Sequence, residues 1–78
     1  MSAKTKSYWV ARARNLMKGE LARRGLNYDD LSAKLKQINV NENAANLRTK
    51  INRGTFSASF LLQVMRAIGC KTLDMNVD

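Results

Sequence analysis

Apolar residues recur at helical spacing in four successive stretches of this chain, and a glycine or a capping residue separates each stretch from the next. Residues three or four positions apart share one face of a helix, so each stretch predicts an amphipathic helix with one buried side. Glycine follows three of the stretches, at positions 25, 54 and 69, where a helix C-terminus often takes a left-handed residue. The pattern therefore predicts a compact all-α fold of four to five helices.

The third stretch, residues 41–54, carries the most informative surface pattern. We expect a helix over about 42–53, with Asn41 as its N-cap and Gly54 at its end. Its apolar face would turn inward: Ala44, Leu47 and Ile51. The opposite side then carries short polar side chains with cations at the margins, which suits a helix in a DNA major groove. Base contacts are expected from Asn43, Asn46 and Thr49, and phosphate contacts from Arg48, Lys50, Arg53 and Ser57.

Capping residues also precede the other helices. Ser7, Asn27 and Ser57 are the expected N-caps of the first, second and fourth helix. The turn at 38–41 is rich in asparagine, which tolerates unusual backbone angles. Tyr8 and Trp9 at the start of the first helix suggest either stacking groups for single-stranded nucleic acid or a cover for the core, and we expect the second.

Composition narrows the functional class. The 78 residues include 14 Lys and Arg against 6 Asp and Glu, a net charge of +8 that favours polyanionic partners. There is no histidine, no glycine-rich phosphate loop and no metal-ligand cluster, so we expect no enzyme activity, cofactor, metal or small-molecule substrate. The single Cys70 is expected to be a small buried hydrophobe. Without a signal peptide or a long apolar run, a cytoplasmic protein is expected, with no membrane contact.

The two ends of the chain differ from the helical part. Residues 1–6 are small and basic, which indicates a flexible arm, either simply frayed or following a DNA backbone. Residues 7–70 form the expected helical domain. In 71–78, Leu73, Met75 and Val77 alternate with polar residues as in a strand. This tail is either frayed or pairs with its copy across a two-fold axis to form a homodimer.

With this order of helices, the chain resembles the lambda-repressor-like (Cro/CI, or XRE-type) helix-turn-helix proteins. The segment Gly25-Leu-Asn-Tyr-Asp-Asp-Leu-Ser32 is similar to that family's pattern at the second helix, and Ile51-Asn-Arg-Gly54 to the end of its recognition helix. Residues 45–69 are similar to a family of small bacterial proteins of undefined function. The wider resemblance implies a DNA-binding transcriptional regulator whose third helix enters the major groove. It also implies a phosphate contact from Tyr28, which stands where the family usually has glutamine.

Two other functions fit the same helices. A helical protein–protein interaction module without DNA binding would keep the fold and use its cations for solubility. RNA binding is less favoured because the outward side of the third helix lacks an aromatic platform. Double-stranded DNA is therefore the expected partner.

Overall fold

Four α-helices make up the regular structure of residues 5–73, the part of the chain that the computed structural model describes. They are α1 (Lys6–Arg23), α2 (Tyr28–Lys36), α3 (Ala44–Arg53) and α4 (Ala58–Ile68). The all-α prediction is confirmed for this part of the chain, which contains no strand. The predicted strand-like tail lies largely outside the described residues.

Side-chain caps start every helix, and two of the four differ from the prediction. Asn27 begins α2 with a reciprocal capping box, in which its Oδ1 accepts the N–H of Asp30 and the Asp30 carboxylate accepts the Asn27 N–H. Ser57 caps α4 as expected. The predictions for α1 and α3 were wrong: Thr5 rather than Ser7 caps α1, and Asn43 rather than Asn41 caps α3.

The later start of α3 follows from a contact between α2 and the segment that connects it to α3. The hydroxyl of Ser32 on α2 donates to the backbone carbonyl of Glu42, which holds the connecting segment against α2 until residue 43. Asn43 then takes an extended backbone, and its Oδ1 accepts the Asn46 N–H at 2.8 Å. Asn39 in the same connection has a positive φ of 63°, which confirms that this asparagine-rich turn uses an unusual backbone angle.

The core is formed by one apolar side of each helix. Its members are Met17, Leu21, Leu31, Leu35, Leu47, Ile51, Phe60, Val64, Met65 and Ile68. Helix α2 packs against both α3 and α4, and α1 packs against α3. Leu73, from the predicted tail, lies half-buried against this core. Among the described residues, no helix is long and apolar enough to cross a membrane.

Helix α1 passes very close to the C-terminal end of α3. Gly54 is buried there with φ +70°, and a Cβ added to it would lie 2.8 Å from Cγ1 of Val10 and closer still to the Val10 carbonyl oxygen. Successive side chains of a helix point about 100° apart. Because Val10 faces α3, its neighbour Trp9 points toward solvent. Trp9 is 55% exposed, so the expectation that it covers the core was wrong.

Candidate nucleic-acid interface

Burial of one side of α3 decides which of its side chains face solvent. Leu47 and Ile51 have no exposed surface, and they hold the helix against the core. The residues on the opposite side are exposed: Ala45, Asn46, Thr49 and Arg53. The predicted orientation of α3 is thus confirmed. We call these four residues the outward face of α3.

The polar groups of the outward face differ in what they can still bind. The Asn46 side-chain amide has no hydrogen-bond partner among the described residues, so its oxygen and its NH₂ group are both free. The Thr49 hydroxyl donates to the carbonyl of Ala45 at 3.1 Å. The residue is exposed, and its hydroxyl oxygen can still accept. Asn46 is therefore the more versatile hydrogen-bonding group on this face.

Asn43 was predicted to contact a base, and the structure gives it a structural role. Its Oδ1 caps α3, so the NH₂ group is the part of the side chain that is fully free for a ligand. Ser57, a predicted phosphate contact, is engaged in a similar way. Its Oγ accepts the N–H of Phe60 at 3.0 Å and lies 3.0 Å from the hydroxyl of Ser59. Both caps limit what these two residues can offer to DNA.

Two predicted phosphate contacts from different helices lie together. The guanidinium of Arg48 on α3 sits over the ring of Tyr28, the first residue of α2, at 5.5 Å from the ring centroid. A cation over an aromatic face is attracted by the ring quadrupole, which holds the Arg48 side chain near the start of α2. Arg48 has no carboxylate partner among the described residues, so its charge stays available.

The cation on the other margin of α3 is neutralised. Lys50 Nζ lies 2.9 Å from Oε1 of Glu42 and 5.2 Å from the centroid of the Phe60 ring. The Glu42 side chain is only 18% exposed, so the ion pair is partly shielded from solvent. Lys50 was predicted to anchor a phosphate, but a phosphate there would compete with a carboxylate already in place. Arg53, by contrast, is exposed and has no ion-pair partner among residues 5–73.

A polar contact between α1 and α3 was not anticipated from the sequence. Lys18 Nζ donates to Oδ1 of Asn52 at 3.0 Å, and both side chains are exposed. The two residues are 34 positions apart. No local pattern in the sequence indicates such a pair, because it depends on the close passage of α1 over the end of α3.

A second unanticipated feature is the buried carboxylate of Glu20. It accepts from Arg23 and from Arg24, whose Nη1 lies 2.6 Å from Oε1, and Cys70 Sγ is 3.6 Å from the same oxygen. The sequence did carry a signal here, because Arg23 and Arg24 follow Glu20 at three and four positions, the spacing of helical ion pairs. Cys70 is half-buried against the core rather than fully buried.

Comparison with protein-family models matches residues 9–73 of this chain, which span all of α2, α3 and α4 and most of α1. The matching model is described as a domain of unknown function, DUF6471. Comparison with curated proteins gave no match, and comparison with solved structures gave none. Because the match covers most of the chain, this protein belongs to the DUF6471 family of domains of unknown function.

Proposed function

We propose that this protein is a DNA-binding transcriptional regulator of the lambda-repressor-like helix-turn-helix kind, with α3 as its recognition helix. The observation that carries the proposal is the outward face of α3, where the unpaired Asn46 amide stands among small or flexible side chains. A free asparagine amide can donate to N7 and accept from N6 of adenine at the same time, which gives base discrimination. The net charge of +8 supplies attraction to phosphates.

The proposed DNA contacts are assigned according to the hydrogen-bonding groups and charges that each side chain has free. Asn46 and Thr49 contact base edges, and Asn43 contributes only its NH₂ group at the start of the helix. Arg48 and Tyr28 contact phosphates on one margin, and Arg53 contacts them near the end of α3. Lys50 and Ser57 are kept as weaker contacts because Glu42 and the α4 cap already engage them.

The test is a pair of binding titrations. Because the operator is unknown, a preferred duplex is first selected from a random-sequence pool with the unsubstituted protein. Asn46→Ala should then lose roughly 1–3 kcal/mol of binding free energy for the selected duplex and little for a random one. Gln63→Ala, which removes an exposed amide on α4, is the matched control and should leave both affinities unchanged. Equal losses for both duplexes in the Asn46 variant would count against base readout.

A non-DNA function has one observation in its favour. Two large apolar side chains are exposed on different helices, Trp9 at 55% and Leu62 at 68%, and a protein partner could cover either. Isolated apolar residues are nevertheless common on protein surfaces, so the helical interaction module remains the second candidate. Absence of binding to random duplex at about 50 mM salt, where phosphate attraction is strong, would favour it over DNA binding.

Dimerisation through residues 71–78 is part of the proposal, because two-fold symmetric regulators span two half-sites. Residues 74–78 lie outside the described part of the chain, and Leu73 packs against the core of its own chain. The truncation that tests dimerisation therefore ends after Leu73, which preserves that packing. Light scattering should show a dimer for the full chain and a monomer for the truncated chain. An identical mass for both would exclude pairing through the tail.

A further inference from the structure

We infer that Lys18 and Asn52 together form a phosphate-binding pair that joins α1 to the recognition helix, and this inference rests on the proposed function. A lysine ammonium has only donors, so the Asn52 amide oxygen must be the atom that faces Lys18. The Asn52 NH₂ group therefore points away from Lys18 and is left to donate. The pair as a whole presents N–H donors and one positive charge.

The same chemistry gives the two asparagines of α3 different roles. Asn46 keeps both its acceptor and its donor, which bidentate recognition of adenine requires. The Asn52 oxygen already accepts from Lys18 at 3.0 Å, so the NH₂ group is the part of Asn52 that is fully free for a ligand. An NH₂ donor beside a cation matches a phosphate oxygen, which is an acceptor with negative charge. Asn46 would discriminate between bases, whereas Asn52 would hold the backbone regardless of sequence.

The surroundings of the pair support an anionic ligand. Arg48 lies one helical turn before Asn52 on the same side of α3, and it also lacks a carboxylate partner among the described residues. Lys18 likewise forms no ion pair within residues 5–73. Asp29 and Asp30 stand at the start of α2, and Glu42 is paired with Lys50. Tyr28, Arg48, Asn52 and Lys18 thus form one polar strip along this margin of α3.

The experiment measures binding of the unsubstituted protein and of three variants to the selected and the random duplex over a salt series. The variants are Asn52→Ala, Lys18→Gln and the control Arg66→Gln. Each neutralised phosphate contributes about 0.9 to the slope of log affinity against log salt, so a fourfold rise in salt weakens binding by about 3.5-fold per contact. Lys18→Gln should lower that slope by about one. Asn52→Ala and Lys18→Gln should each weaken binding to both duplexes by about three- to tenfold.

The control and a double variant separate the pair from general loss of charge. Arg66 is exposed on α4, outside both the strip and the proposed dimerisation segment, so Arg66→Gln should change affinity much less than Lys18→Gln. Because Lys18 orients Asn52, the fold-loss of affinity in the double variant Lys18→Gln, Asn52→Ala should be smaller than the product of the two single fold-losses. A loss confined to the selected duplex in Asn52→Ala, or equal effects of Lys18→Gln and Arg66→Gln, would overturn the inference.

This inference and the proposed function fail in different ways. If the unsubstituted protein binds neither duplex at low salt, both are overturned. If it binds and Asn46→Ala loses base preference, while the Lys18 and Asn52 variants bind like the unsubstituted protein, only the inference is overturned. Both substituted side chains are exposed, so an unchanged amide NMR spectrum away from the two sites will establish that each variant is folded.

Discussion

The close passage of α1 over Gly54 predicts an unusually costly glycine substitution. Gly54→Ala places a Cβ on a residue with φ +70°, which costs about 1–2 kcal/mol in left-handed backbone strain. The same Cβ would lie 2.8 Å from Val10 Cγ1 and 3.1 Å from the Val10 carbonyl carbon. Backbone atoms cannot move aside as a flexible side chain can, so overpacking adds about 1–3 kcal/mol. The expected loss of unfolding free energy is about 2–5 kcal/mol.

Gly69→Ala is the matched control. Gly69 ends α4 with φ +76°, but a Cβ there meets no atom within 4 Å. This variant should lose only the backbone strain of about 1–2 kcal/mol. Urea unfolding followed by circular dichroism measures both, and in a domain of this size each kcal/mol also lowers the midpoint temperature by about 4–8 °C. If Gly54→Ala cost no more than Gly69→Ala, the proposed contact between α1 and the end of α3 would be wrong.

Two further substitutions test individual charged groups. Glu20→Gln should lower the free energy of unfolding by about 1–2 kcal/mol, because it weakens charge-assisted hydrogen bonds to Arg23 and Arg24. The loss is kept small because these two arginine side chains are 53% and 30% exposed. Unchanged urea unfolding would contradict this prediction. Asp29→Asn should strengthen DNA binding by about two- to fivefold at low salt by removing repulsion from phosphates, while costing about 0.3–1 kcal/mol of stability at the start of α2. Weaker DNA binding in that variant would show that Asp29 does not face the duplex.

The sequence predicted those parts of the fold that local chemistry decides. The inward side of α3 followed from the spacing of Leu47 and Ile51, and the cap of α2 followed from the preference of asparagine, here Asn27, for that position. Such features need only residues within one or two helical turns of each other. The DNA-binding function implied by the family resemblance stays a prediction, because neither the fold nor the comparisons test it.

The cap of α3 shows where local reasoning stops. Three asparagines, at 39, 41 and 43, stand in the connection before α3, and each is a good N-cap by residue type. The choice among them is made by a contact that is distant in sequence, the bond from the Ser32 hydroxyl to the Glu42 carbonyl. The same limitation applies to Lys18 and Asn52, whose contact follows from how α1 packs against α3.

The contacts around α3 also imply a direction for its electrostatic attraction. On one margin Arg48 and Lys18 keep their charges. On the other, within the described residues, Arg53 is the only α3 cation that keeps its charge, because Glu42 at 2.9 Å cancels the charge of Lys50. A helix in the major groove has a phosphate backbone on each side, so attraction from the two margins would be unequal. The margin with Arg48 and Lys18 would lie closer to the phosphate backbone beside it. The helix would then be tilted in the groove, and Asn46 would be tilted with it. Glu42→Gln frees Lys50 and should therefore raise affinity for random duplex while weakening the preference that depends on Asn46.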